Sequence, residues 1–292
     1  MSTSTLPLGV LAMADTLPAE SWQRYVQSIE TLGYDSFWIP ELFGREPVAS
    51  AAFLLARTER IAIATGIANI YVRDAHAMAQ TRHTLAELAP GRFILGLGVS
   101  NVGLNSTRGH TWEAPLTKLT RYLDELAAVD VAAATPSSPA SLIVAAHGPR
   151  LQQLAAARSD GVLTYLMSTS HTQQSRERLG PGPELNVVCP MLAEPDPDRA
   201  RRTIRAVLSY YLTLDYYHRE WRKLGFTDQD FADGGSDTLI DTIVAWGDRA
   251  ALRQRVAEHA AAGATRVIIL PLDALDPAGA AGATLRAIAP SD

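Results

Sequence analysis

The chain has 292 residues, 47% of them hydrophobic and 20% charged, with a formal net charge of −5. That length and balance suit one large α/β domain or two small ones, and no basic block or basic–aromatic stripe offsets the acidic excess, which argues against a nucleic-acid partner. Cys189 is the single cysteine, so no intramolecular disulfide can form, as expected of a protein kept in a reducing cytoplasm.

The N-terminal MSTSTLPLGVLAMADT has no charged leader region, and LGVLAM (8–13) reads as a first strand rather than a signal peptide. No apolar run approaches the length of a membrane span. Residues 18–32 carry Trp22, Val26, Ile29 and Leu32 at helical spacing, and Gly33 ends that helix. SFWIP (36–40) is a second strand, followed at once by Glu41, and residues 47–58 form the next helix. IAIATGI (from 61) and RFILGLGV (from 92, with the strand starting near Phe93) are apolar almost throughout, as strands buried on both faces are. A crossover helix fits between them over 74–88. A polar loop over 101–113 leads to a helix from Pro115 to about Val131. After the surface connection TPSSPAS (135–141), strands begin near Leu142, Gly161 and Leu185, with Gly148-Pro149 opening a helix between the first two. Residues 196–259 read as mostly helical, VIILPL (267–272) is the last strand, and a short helix follows.

Eight apolar strands alternating with helices predict a parallel sheet. In a chain of this length they fit a closed (β/α)8 TIM barrel better than an open doubly wound sheet. The expectation is a single α/β domain over 1–292. A helical insertion at about 196–250, between the seventh and eighth strands, would cap the barrel's active end.

Chemistry in such barrels is done at the C-terminal ends of the strands, which singles out four clusters. Glu41 is costly there if buried without a partner; a salt bridge to Arg45 or Arg73 is its structural alternative. Gly66, Ile67, Ala68 and Asn69 end the third strand, and an ordinary glycine turn is their bland reading. Gly96-Leu-Gly98-Val99-Ser100-Asn101 is not a dinucleotide fingerprint, because Asn101 stands where the third glycine belongs and the motif follows a fourth strand. Small residues packing the barrel top are the bland reading of Gly98, Val99 and Ser100. His147, Gly148, Pro149 and Arg150 end the fifth strand and open a helix. Proline at the first helical position lacks an N–H that would be orphaned anyway, and the remaining free N–H groups with the helix dipole suit a phosphate. A tight turn is the alternative.

Other residues are less specific. His76 and His83 share a helix face without a third ligand, and neither HExxH nor CxxC spacing occurs, so no metal site is expected. His110 and Trp112 suit a substrate funnel or a surface loop. Tyr210, Tyr211, Tyr216, Tyr217 and Trp221 suit an aromatic lid or a helix–helix core.

Five segments in order, LGYDSFWIPE (32–41), TERIAIATGIANIYVRD (58–74), LAPGRFILGLGVS (88–100), AAHGPRLQQLAAARSDG (145–161) and WRKLGF…GGSDTLIDTIVAWGD (221–248), resemble the luciferase-like monooxygenase superfamily. Within it they look most like the oxidoreductases that use the deazaflavin coenzyme F420. The resemblance covers nearly the whole chain. It implies a cis peptide at Gly66–Ile67, with the bulge Gly66, Ile67, Ala68, Asn69 pressed on the rear of the cofactor ring. It implies that Gly98 admits the ribityl chain, that Ser100 beside Val99 donates a hydrogen bond, and that the turn His147, Gly148, Pro149, Arg150 lies along the phosphate-bearing tail. Glu41 is then the catalytic candidate, hydrogen-bonding the ring or the substrate. Some members follow this acid with a histidine; here the position is Leu42, which removes the obvious proton donor.

The activity so implied is hydride transfer between C5 of F420 and a small organic substrate, because a deazaflavin moves electrons in pairs and reacts poorly with oxygen. An FMN-dependent monooxygenase is the first alternative and a non-catalytic flavin- or deazaflavin-binding protein the second. The expected partner is a small molecule, with no nucleic acid and no membrane. Similar proteins often form homodimers, but no exposed apolar helix in the sequence demands one.

Overall fold

The apolar runs become parallel strands that close on themselves. The computed structural model describes residues 6–291. Its strands are β1 (Leu8–Leu11), β2 (Ser36–Ile39), β3 (Ala62–Thr65), β4 (Ala68–Asn69), β5 (Phe93–Gly98), β6 (Ser141–Ala145), β7 (Gly161–Tyr165), β8 (Glu184–Leu192), β9 (Ala245–Trp246) and β10 (Arg266–Pro271). They run in the order β10-β1-β2-β3-β5-β6-β7-β8, and β10 also pairs with β8, from Arg266↔Asn186 to Pro271↔Met191. That last pairing closes the barrel. The short β4 continues beyond β3 and pairs with β5, while β9 adds to the end of β8. The fold is the eight-stranded TIM barrel that the alternation predicts.

Among the described residues, thirteen α-helices accompany the strands: α1 (Ala19–Thr31), α2 (Pro47–Leu55), α3 (Ala75–Leu88), α4 (Val102–Thr107), α5 (Pro115–Ala128), α6 (Pro149–Arg158), α7 (Thr169–Leu179), α8 (Pro197–Leu208), α9 (Asp215–Arg222), α10 (Asp228–Phe231), α11 (Asp237–Ile243), α12 (Arg249–Ala261) and α13 (Ala283–Ala287). Side chains cap several N-termini. Asp74 accepts from Ala77 N–H, Ser168 from His171 N–H and Asp248 from Ala251 N–H, so each satisfies a donor the helix leaves free.

Alternation along the strands splits the core in two. Val10, Phe37, Ile63 and Leu95 point outward under the helices, with Tyr25, Val26, Ile29 and Leu54. Leu11, Trp38, Ala64, Ile94, Ile143 and Ile268 fill the barrel. Their cluster continues into Ile204, Leu208, Tyr217, Trp221 and Ile240 of the segment between β8 and β10. The insertion therefore sits on the barrel's mouth as a continuation of its interior.

One expectation needs correction. The loop read over 101–113 contains α4, because the Asn101 side chain accepts from Leu104 N–H and starts a turn whose Leu104 and Asn105 are buried. The stretch 196–259 is mostly helical as expected, with the two-residue β9 extending β8 by parallel pairing before Asp248 caps α12. No helix among the described residues is long and apolar enough to cross a membrane.

Burial also sets an acid limit. His259 of α12 is fully buried, with Nδ1 3.0 Å from Thr172 Oγ1 and, among the described residues, no partner on Nε2. Burial, with Arg255 nearby, pushes its imidazole down to about 3. The unfolded chain takes up this proton near pH 6.5 and the folded chain refuses it, so the stabilising contribution is complete above about pH 6.5 and is lost as pH falls toward about 3. Unfolding free energy from urea titrations should drop by up to about 1.4 kcal/mol per pH unit on this residue's account. His259→Gln should flatten that slope; an unchanged slope would assign the acid sensitivity elsewhere.

Candidate functional site

The C-terminal ends of β1, β2, β3, β5, β6 and β7 open into one cavity of about 1260 Å³, roofed by α9 and the segment before it. It is lined by Leu11 and Met13 after β1, Glu41 and Leu42 after β2, Gly66 and Ile67 after β3, and Val99 and Ser100 after β5. His147 and Gly148 line it after β6, and Tyr165 at the end of β7. Of the twelve positions singled out in the sequence, Glu41, Gly66, Ile67, Val99, Ser100, His147 and Gly148 face this space. Ala68, Asn69, Gly98, Pro149 and Arg150 do not line it, Pro149 and Arg150 being exposed at the surface.

The Gly66–Ile67 peptide is cis. Ile67 projects toward β5, where a Cβ on Gly98 would come within 2.8 Å of Ile67 Cγ1 and 3.2 Å of Ala145 Cβ. The room that Gly98 leaves is thus filled by Ile67, and this glycine shapes the site through the bulge. Ser100 lies in the left-handed region at φ 59°, unusual for a residue with a side chain. Its hydroxyl has no hydrogen-bond partner among the described residues and is free to face a ligand.

Glu41 is held in an ion pair. Its side chain is 3% exposed, and Oε2 accepts from the Asn69 N–H at 2.8 Å and from Arg73 at 2.9 Å, while Oε1 meets the second Arg73 amine at 3.3 Å. Arg108 approaches Oε1 at 3.7 Å. Arg45 turns away, its guanidinium over the Trp22 ring. Burial opposes the charge on Arg73, but the hydrogen bonds and charges of Glu41 and Glu46 outweigh it and hold the guanidinium above its ordinary value.

Behind the bulge, Asn69 donates to Asn105 Oδ1 at 2.8 Å, and Asn105 donates to the Val99 carbonyl at 2.8 Å. This chain ties the ends of β2, β4 and β5 through α4. Asn105 was missed in the sequence because it sits in a segment read as loop, and nothing local marks it.

His147 has a buried Nδ1 with no partner among the described residues, and its carbonyl accepts from His171 Nε2 at 2.9 Å. Burial, with His171 alongside, pushes its imidazole down to about 3, so it is neutral near pH 7. Next to it, α6 begins with Gly148 as N-cap and Pro149 in the first turn, and no side chain of the described residues caps the free N–H groups. A Cβ built on Gly148 would have Glu220 Oε1 at 3.7 Å and, its chain neighbours aside, no other atom of the described residues within 4 Å.

The tyrosines divide between the two readings open to them. Tyr210, Tyr211 and Tyr216 line the cavity. Tyr217 lines it too but is buried against Trp221, whose Nε1–H donates to the Leu166 carbonyl at 3.0 Å, so these two are also the lid's own core. Tyr165 stands 5.2 Å from the Tyr211 ring, and its hydroxyl makes no hydrogen bond of good geometry. Burial raises it well above the ordinary tyrosine range. Trp112 lines the cavity and stacks on Tyr71, whereas His110 only flanks that ring.

The chain is similar to two 5,10-methylenetetrahydromethanopterin reductases. That of Archaeoglobus fulgidus is 26% identical over 291 aligned positions, covering 84% of this chain and 88% of the relative. That of Methanolobus tindarius is 31% identical over 157 positions, where the match spans about half of each protein (48% of both). Among solved structures, the coenzyme F420-dependent tetrahydromethanopterin reductase of Methanopyrus kandleri superposes with a TM-score of 0.74 at 16% identity, covering 98% of this chain and 97% of that one. The model of the luciferase-like monooxygenase family matches residues 5–266, nearly the whole barrel and its insertion. On the strength of that match and of the barrel it spans, the chain belongs to the luciferase-like monooxygenase family and is an enzyme of that class.

Proposed function

We propose that the protein is an oxidoreductase that transfers a hydride between coenzyme F420 and a small organic substrate. The observation that carries this reading is that the bulge at Gly66–Ile67 and the uncapped start of α6 open onto one cavity of about 1260 Å³. Ligand pockets commonly hold about 300–1,000 Å³. The larger space suits a tricyclic cofactor with its tail and a small substrate together. A similar F420-dependent oxidoreductase supports the deazaflavin, and FMN is the alternative that the same barrel also holds in other proteins.

The residues present fit such a group. Ile67, Val99 and Ala145 offer an apolar wall for a flat ring, Ser100 a free hydroxyl, and Gly148 with the α6 N–H groups an open cradle for a phosphate. When bound, the deazaflavin supplies a hydride donor or acceptor at C5. The chain positions it and excludes water. Glu41 enters as a positioning residue, since its oxygens hold Asn69 and Arg73 and so fix the bulge. The tyrosines of the lid close the opposite side.

Titration of the purified protein with F420 and with FMN, followed by fluorescence, tests this. F420 should bind at micromolar or better affinity and more tightly than FMN. Tighter FMN binding would replace the reading with the oxygen-using alternative on the same barrel, and binding without turnover of any carbonyl or alcohol substrate would favour a binding protein.

A further inference from the structure

Glu220 puts a carboxylate in the cavity beside the start of α6. It belongs to α9, its side chain is 13% exposed, and it lines the cavity beside Gly148. Its Oε1 lies 3.7 Å from the position a Gly148 Cβ would take, next to the α6 N-terminus. The same carboxylate is felt by His171, whose Nε2 bonds the His147 carbonyl just before that turn. Lys223, one turn on, grips both Glu220 oxygens at 2.7 and 2.6 Å. So a negative charge, partly neutralised by the half-exposed Lys223 and with Arg219 and Arg222 of the same helix also lining the cavity, faces the cradle in which the cofactor reading places a phosphate.

We infer that Glu220 is a specificity-determining residue that favours a phosphodiester over a phosphomonoester at this position. The inference rests on the cofactor reading above. F420 carries its phosphate as a diester with a single negative charge. FMN ends in a monoester, whose second ionisation near pH 6 leaves it close to doubly charged at neutral pH. Repulsion from a fixed carboxylate grows in proportion to the charge on the phosphate beside it, whatever charges the rest of the ligand carries farther off. A penalty that the α6 N–H groups and Lys223 outweigh for one charge is therefore doubled for two. In a relative of similar shape with a neutral residue here, the same cradle would accept either phosphate.

The test uses the full-length protein and Glu220→Gln, which keeps the shape and removes the charge. Four ligands are titrated: F420, FMN, riboflavin and the phosphate-free deazaflavin riboside. Glu220→Gln should tighten F420 by about threefold and FMN by about tenfold, because the effect of one charge is squared for two, and should leave the two phosphate-free ligands unchanged. Lys223→Gln, which leaves Glu220 unneutralised, should move the same two affinities in the opposite direction, again more for FMN. Equal changes for F420 and FMN, or equal changes for riboflavin, would overturn the role of Glu220 while leaving the cofactor reading intact. Wild-type protein that fails to bind F420 would overturn the cofactor reading itself, and the inference with it.

Discussion

Gly96→Ala should lower the unfolding free energy by about 3 kcal/mol or more, the upper end of what overpacking a core costs. A Cβ at this position would lie 2.0 Å from the Thr65 carbonyl oxygen, a backbone atom that no rotamer change can move. The same pair of residues is already locked. Thr65 Oγ1 donates to the Gly96 carbonyl at 2.7 Å and accepts from the Gly96 N–H at 2.9 Å, so a side chain here must part β3 from β5. Guanidinium titration should show a lower midpoint with an unchanged slope. Gly182→Ala is the control: it has no heavy atom within 4 Å and should change stability by less than about 0.5 kcal/mol. If Gly96→Ala is as mild as the control, β3 and β5 are not as close as described.

Glu41→Gln should cost both stability and cofactor affinity. Hydrogen bonds to a charged group contribute about 1.5–3 kcal/mol, and the substitution removes the charge from a carboxylate that accepts from Asn69 and Arg73. Arg73 keeps Glu46 as a partner, so the guanidinium is not stranded, which places the expected loss at the lower end of that range. Because Asn69 continues the bulge that carries Ile67, loosening it should weaken F420 by roughly tenfold, about 1.4 kcal/mol. Melting temperature and F420 affinity are both read on the one variant. A loss of turnover with stability and affinity intact would mean instead that Glu41 acts on the ring or substrate directly.

The barrel was legible because its strands are buried on both faces. RFILGLGV and VIILPL have no polar face to confuse with a helix, and their ends carry glycine or polar residues that mark the start of the site. Glu41 and the bulge were legible for the same reason: they follow strands whose ends are unambiguous. Asn105 was not, because its place is decided by Asn69, far away in the chain, and the six-residue α4 gives too short a period to read. Gly98 shows a different limit. The sequence says that something approaches closely, and only the fold says that it is Ile67. The role of Glu220 depends on how α9 lies across β6 and α6, which local pattern does not encode.

Barrel closure has a consequence for synthesis. β1 pairs with β10, Leu8 against Val267, so one of the first strands made waits for almost the last. Until residues 266–271 leave the ribosome, β1 and β8 each present an unpaired row of backbone groups, of the kind that invites pairing with another chain. Contacts this distant in sequence are also slow to form, since the entropy of closing the chain must be lost before they return anything. The helices packed on the half-built sheet can form early, but the ring cannot. Native β10 is therefore the keystone of the arch, and a growing chain stalled just short of it is the form of this protein most exposed to aggregation.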